Sequence, residues 1–175
     1  MIVRAATGND VPALTALYND LGVATTASYD LCPVTVDQRL AWLDDHMANN
    51  WPVLVADDDG QVAGFAAYGA FREKPGYRFT VEHSVYVDQQ YQGCGVGRAL
   101  MTALIDVAKA QHIHTIVGLV DATNADSIAF HQRLGFFAAG TLPHVGHKFG
   151  RWLDVTFLVL TLPEEGQTDE CKPAF

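Results

Sequence analysis

Cysteine is scarce in this chain, with only Cys32, Cys94 and Cys171 among 175 residues. An odd, scattered set supports neither a disulfide framework nor a C-x-x-C metal pair. Basic residues are also few, 11 Lys and Arg against 20 Asp and Glu, for a net charge of −9. That balance opposes nucleic-acid binding, which needs clustered positive charge. No apolar run approaches the ~20 residues of a membrane helix, and residues 1–8 lack the apolar core of a signal peptide. A cytoplasmic protein with no nucleic-acid or membrane partner is expected. What is present is apolar: 49% hydrophobic residues against 18% charged, the composition of a folded chain. The length fits one domain by the usual prior of roughly 100–200 residues.

Hydrophobic periodicity alternates between strand and helix with no internal repeat. Residues 2–6 read as a strand, and residues 10–21 as a helix with Val11, Leu14, Leu17, Tyr18 and Leu21 on one face and Asn9 or Asp10 as its cap. Thr35 and Gln38 have capping-box spacing and open a second helix through Leu40, Trp42, Leu43 and Met47. Between these helices lies an irregular segment, residues 22–34. Residues 52–56 and 62–68 form a hairpin across Asp57-Asp58-Asp59-Gly60, a D-G turn rather than a calcium loop, because the downstream ligands of such a loop are missing. Residues 80–87 and 115–120 are strands joined through a helix, so they should pair in parallel. Asn124 caps a short helix that Gly135 ends, and strands around 138–143 and 152–162 follow.

One stretch carries chemistry. Gln92-Gly93-Cys94-Gly95-Val96-Gly97-Arg98 sits between the 80–87 strand and an apolar helix. Glycines let backbone N–H groups approach an anion, and the helix start adds unpaired donors and the positive end of its dipole. A dinucleotide fingerprint would need glycine at Arg98, and a P-loop would need a Lys-Ser/Thr pair, so both fail. What fits is Q-x-x-G-x-G, on Gln92, Gly95 and Gly97. This resembles the acyl-CoA pyrophosphate loop of the GNAT superfamily of N-acetyltransferases. A second block, Asn124, Phe130-His131 and Leu134-Gly135-Phe136, is similar to the same superfamily independently of the first.

The resemblance implies an α/β (α+β) single domain over residues 1–162, with residues 163–175 as a flexible tail. Its sheet would be mixed and mostly antiparallel, with a splayed parallel strand pair and flanking helices. It implies acetyl-CoA as cosubstrate, the pantetheine arm bonding backbone groups of Val85, Tyr86 and Val87 and the pyrophosphate lying on residues 92–98. Asn124 would contact the pantetheine, with Ser127 and Arg133 further along the helix; Arg98 fits as a charge-assisted phosphate donor or as a solvated helix-entry arginine. Cys94 is a small filler of the loop, at the wrong end of the cofactor for an acyl carrier.

Further strings narrow the resemblance to the phosphinothricin and methionine sulfoximine N-acetyltransferases: Thr25-Thr26, Thr80-Val81-Glu82-His83-Ser84-Val85-Tyr86-Val87, and residues 146–154. That resemblance implies a homodimer and a small amino-acid-like amine as acceptor. Acetyl transfer needs a neutral amine, and an α-ammonium loses its proton only near pH ~8. Glu82 is placed to take that proton or to hold the ammonium. His131, where many superfamily members carry tyrosine, stands as general acid for the leaving thiolate or as a residue lining the groove. Tyr29, Arg72, Glu73, Lys74, His83 and Ser84 are the remaining acceptor-site candidates, with Arg72 able to fork onto a carboxylate or phosphinate and surface solvation the alternative for Arg72 and Lys74. Acetylation of a protein N-terminus or polyamine, and a non-catalytic acyl-CoA sensor, are the competing functions. The spacing of His83, His144 and His147 matches no zinc pattern.

Overall fold

The computed structural model describes residues 1–163. The expected tail beyond Pro163, with Cys171, lies outside the described residues. Strands β1 (Ile2–Ala5), β2 (Val53–Asp58), β3 (Gln61–Ala70), β4 (Thr80–Val87), β5 (Thr115–Asp121), β6 (Phe137–Lys148) and β7 (Arg151–Thr161) form one sheet in the order β1-β2-β3-β4-β5-β7-β6. Every neighbouring pair is antiparallel except β4 and β5. Helices α1 (Val11–Leu17) and α2 (Val36–Ala48) cover one face; α3 (Val96–Ala110) covers the other, and α4 (Ala125–Arg133) follows β5.

The middle strands are buried on both faces, so successive residues serve opposite layers. On β2 and β3, Val53, Val55, Phe65 and Ala67 meet Leu14 of α1 and Leu43 of α2. Their neighbours Leu54, Ala56, Ala66 and Tyr68 meet Leu100, Met101 and Leu104 of α3. The same alternation sorts β4. Val81, Val85 and Val87 pack with the α3 layer and Tyr86 with the α1–α2 layer. Glu82 shares the parity of Tyr86, and His83 that of Val81.

Three readings change in detail. Neither Asn9 nor Asp10 caps α1 through its side chain. The Asp10 carboxylate takes two 2.8 Å bonds from Arg4 and one from the Thr7 backbone, and the guanidinium holds it well below the usual carboxylate range, at about 2. The first helix also stops at Leu17 and widens into a π turn, Tyr18–Val23, which brings Gly22 against Tyr86 and Tyr18 edge-on to Tyr86. On α2 the inward face is Arg39, Leu43 and His46, while Leu40 and Met47 point to solvent. Aromatic stacking decides this: His46 and Arg39 both lie against Trp42, at 4.2 and 4.5 Å between centres.

Candidate active site

The parallel pair is short. β4 and β5 are in register only at Thr80↔Thr115, Val81↔Ile116 and Glu82↔Val117. Beyond Glu82 the two strands part, β4 staying on β3 as far as Val87 and β5 staying on β7 as far as Asp121. A cleft therefore opens in the middle of the sheet, edged by backbone groups of β4 that no β5 residue matches. Gly118 lies on its β5 side, and a Cβ there would stand 2.7 Å from Nε2 of His83.

Three cavities adjoin at this cleft: the first and second described below share Val85 and Ser127 in their walls, the second and third His83, Ser84 and Tyr86. One of about 520 Å³ lies over the start of α3, lined by Val85, Val87, Gln92, Gly93, Val96–Arg98 and, from α4, Ser127 and Arg133. Gly93 and Gly95 hold φ of +75° and +85°, with open space where a Cβ would be. Gly95 is the N-cap residue of α3, and no side chain caps that end. The first N–H groups of the helix are thus left for an anion, in a cradle shaped for phosphate. Gln92 closes the loop by donating to the Val87 carbonyl at 3.3 Å. Gly97 packs on Phe130, which brings α4 alongside the loop. Exposed Cys94 is not part of this wall.

The second cavity, about 80 Å³, is the cleft itself, bounded by Ser84, Tyr86, Gly118, Asn124, Ser127 and His131. Asn124 caps α4 by accepting from the Ser127 N–H at 3.0 Å. One turn on, Nδ1 of His131 bonds the Ser127 carbonyl at 2.7 Å. A carbonyl only accepts, so Nδ1 carries the proton; burial pushes the His131 pKa down, leaving a neutral ring whose Nε2 offers a lone pair. His83 is stacked 5.1 Å from His131 with both ring nitrogens unpartnered, and burial first, then His131, lowers its pKa to about 3.

The third cavity, about 410 Å³, lies on the α1–α2 side, between Glu82 and Ser84 of β4 and a wall built by Tyr18, Tyr29 and Arg39. The Glu82 carboxyl is half-buried, and desolvation raises its pKa against the opposing pull of Arg72. Tyr29 lies against Gly146 of β6, where any Cβ would run into its ring. The irregular segment that carries Tyr29 is pinned at both ends. Asn19 bonds both backbone groups of Val34, and Nζ of Lys148, on β6, bonds the carbonyls of Gly22, Thr25 and Ser28.

Of the expected acceptor residues, Tyr29, Glu82, His83 and Ser84 line this cavity. Arg72, Glu73 and Lys74 are exposed and stand outside its wall; Arg72 stacks 4.1 Å over Phe71, and its charge reaches Glu82. Arg39 and Lys148 escaped sequence reasoning. Arg39 lies in a helix pattern that Leu40 and Met47 dominate, and Lys148 lies in a strand with no neighbouring acid to suggest a buried amine.

The acetyltransferase (GNAT) family model matches residues 14–136. The L-methionine sulfoximine/L-methionine sulfone acetyltransferase of Pseudomonas aeruginosa is 47% identical over 161 residues, 91% of this chain and 94% of that protein. The phosphinothricin N-acetyltransferase of Streptomyces viridochromogenes is 34% identical, over 89% and 84% of the two chains. Among solved structures, an acetyltransferase from Salmonella typhimurium, determined with its cofactor acetyl-CoA, superposes with a TM-score of 0.93 at 43% identity, over 98% of this chain and 99% of that one. With the splayed strands, the glycine cradle and these relatives in agreement, the chain belongs to the GNAT family of acetyltransferases.

Proposed function

We propose that the protein transfers the acetyl group of acetyl-CoA to the α-amine of a small amino-acid-like acceptor, with methionine sulfoximine, methionine sulfone and phosphinothricin as the acceptors to test. The observation that carries this is the succession of three adjoining cavities. A glycine cradle at the α3 N-terminus, the gap between β4 and β5, and a cavity lined by the Glu82 carboxylate follow one another with shared walls. The relatives' names point to the same acceptors. A cavity of about 410 Å³, walled by the pinned 22–34 segment, suits a small molecule better than a peptide.

Acetyl-CoA supplies an activated thioester. Gln92–Arg98 and the α3 N-terminus hold its pyrophosphate, with Arg98 donating, and Arg133 stands on the facing wall. The unmatched backbone of Val85, Tyr86 and Val87 binds the pantetheine arm, helped by Asn124 and Ser127. Backbone N–H groups of this edge also polarise the thioester carbonyl. Glu82 takes the proton that makes the acceptor amine nucleophilic. His131, neutral with a lone pair at Nε2, is suited to relay a proton. It receives the second proton that the amine sheds as the C–N bond forms, and returns it to the departing sulfur.

We also assign a homodimer in the cytoplasm. β6 is an edge strand with Phe137, Leu142 and Val145 exposed, and its hairpin partner exposes Trp152. Exposed apolar edges of this kind pair with other chains unless covered.

A coupled thiol-release assay with acetyl-CoA tests the function. Turnover is expected on the three named acceptors, with little on spermidine or an N-terminal peptide. Preference for peptide or polyamine, or tight acetyl-CoA binding with no turnover on any amine, overturns it.

A further inference from the structure

Two buried cations flank the acceptor cavity, and they are treated differently. Lys148 has its ammonium saturated by three backbone carbonyls. Arg39, 5% exposed, has no such shell. Its guanidinium carbon lies 3.9 Å from the Tyr18 ring centre and 4.5 Å from that of Trp42. Its Nε is buried without a partner, and among the described residues no carboxylate lies within 4 Å of it. Burial is the largest influence on it, opposed by Tyr18, through charge and a hydrogen bond, by Tyr86 and by the charge of Asp30.

With two aromatic rings packed against it, the guanidinium keeps the N–H edges of its fork for hydrogen bonding. Those edges suit a planar carboxylate bidentately. Arg39 lines the same cavity as Glu82, which is placed for an ammonium. Asp30 lines the same cavity but makes no ion-pair contact with Arg39; a buried cation with no carboxylate in contact is costly, and a neutral sulfonyl or amide oxygen does not cancel it. A carboxylate does.

We propose that Arg39 is a specificity-determining residue that binds the α-carboxylate of the acceptor, so that the enzyme selects zwitterionic amino acids over simple amines. The inference rests on the acetyltransferase reading above and adds the recognition that the exposed Arg72 is not positioned to give.

The test uses methionine sulfone and 3-(methylsulfonyl)propylamine, which lacks only the carboxylate, with wild type, Arg39→Met and Arg39→Lys. Methionine keeps an unbranched stem against Tyr18 and Trp42. Wild type should strongly prefer the amino acid. Arg39→Met should raise KM for methionine sulfone by about 30-fold or more, the low end of what losing one partner of a desolvated charge pair does. KM for the carboxylate-free amine should stay within about 2-fold by the same argument. Methionine sulfone should raise the melting temperature of wild type and not of Arg39→Met. Should Arg39→Met not fold, Arg39→Lys must show the same selective rise, because an ammonium cannot reproduce the fork. Equal penalties on both amines, or an unchanged KM for the sulfone, overturn the proposal. Equal wild-type use of the two amines overturns it while leaving the acetyltransferase intact. A wild type that acetylates neither and shows no shift with methionine sulfone overturns both readings.

Discussion

At the residue scale the proposed chemistry turns on Glu82 and His131, whose surroundings set their protonation. Burial raises the Glu82 pKa, and Arg72 pulls it back. As a base it must be ionised, so kcat/KM should rise with pH through a limb displaced upward from that of a free carboxylate. Arg72→Gln removes the opposing cation and should move this limb further upward; Glu82→Gln should abolish it and lower kcat by about 10²–10⁴-fold, the usual span for general-base catalysis. The amine's own limb near pH ~8 should persist in both variants. A pH profile of wild type and the two variants checks this. An acid limb unmoved in Glu82→Gln would assign the titration elsewhere.

His131 was legible from its place before Leu134-Gly135-Phe136, but its state was not. Only the structure shows its Nδ1 fixed on the Ser127 carbonyl and its ring buried beside His83, where burial lowers its pKa and favours the neutral ring. His83 itself was expected to touch the acceptor, and it lines that cavity while stacking on the α4 side with Phe136. Strand alternation could have suggested this, since His83 shares its parity with the core residue Val81.

At the scale of elements, the acceptor cavity depends on a segment with no regular structure of its own. Residues 22–34 keep their shape because Asn19 and Lys148 satisfy their backbone from outside. Lys148→Met leaves the Thr25 and Ser28 carbonyls without their donor, while Gly22 keeps the Thr25 N–H, and should destabilise the fold by about 1–3 kcal/mol, the cost of leaving such groups unsatisfied. Because the segment carries Tyr29, the KM of the acceptor should rise several-fold and that of acetyl-CoA should not. Urea denaturation and steady-state kinetics measure the two parts. A proportional rise in both KM values would count against a local role. The strings Thr25-Thr26 and residues 146–154 stood out in the sequence as separate pieces of the subfamily resemblance. The bond from Lys148 to the Thr25 carbonyl shows why they belong together.

At the scale of the whole molecule, the sheet ends in an edge that a single copy leaves uncovered. Leu142 and Trp152, 47% and 61% exposed, lie toward that edge. Replacing both with Glu should convert a dimer to a monomer in sedimentation velocity, because like charges would face each other across a two-fold interface. Sedimentation of the wild type as a monomer at micromolar concentration removes the assembly.

The sequence alone determined most of the elements and the glycine loop at the start of α3. Strand–glycine–helix order, the Q-x-x-G-x-G spacing and the Asn124 cap are local, and local patterns are read from neighbours along the chain. The hairpin at Asp57–Gly60, the capping box at Thr35 and the αL glycine at Gly135 all appear in the structure for the same reason. Tertiary structure decided the acceptor half. Arg39, Tyr29, Glu82 and Lys148 come from a helix, a loop and two strands. Their burial and pairing depend on how α1 and α2 pack across β4, and on β6 reaching back to residues 22–28. A guanidinium against two rings reads in the sequence as one more charged residue on a helix; it becomes an unpaired buried cation only when the sheet closes over it.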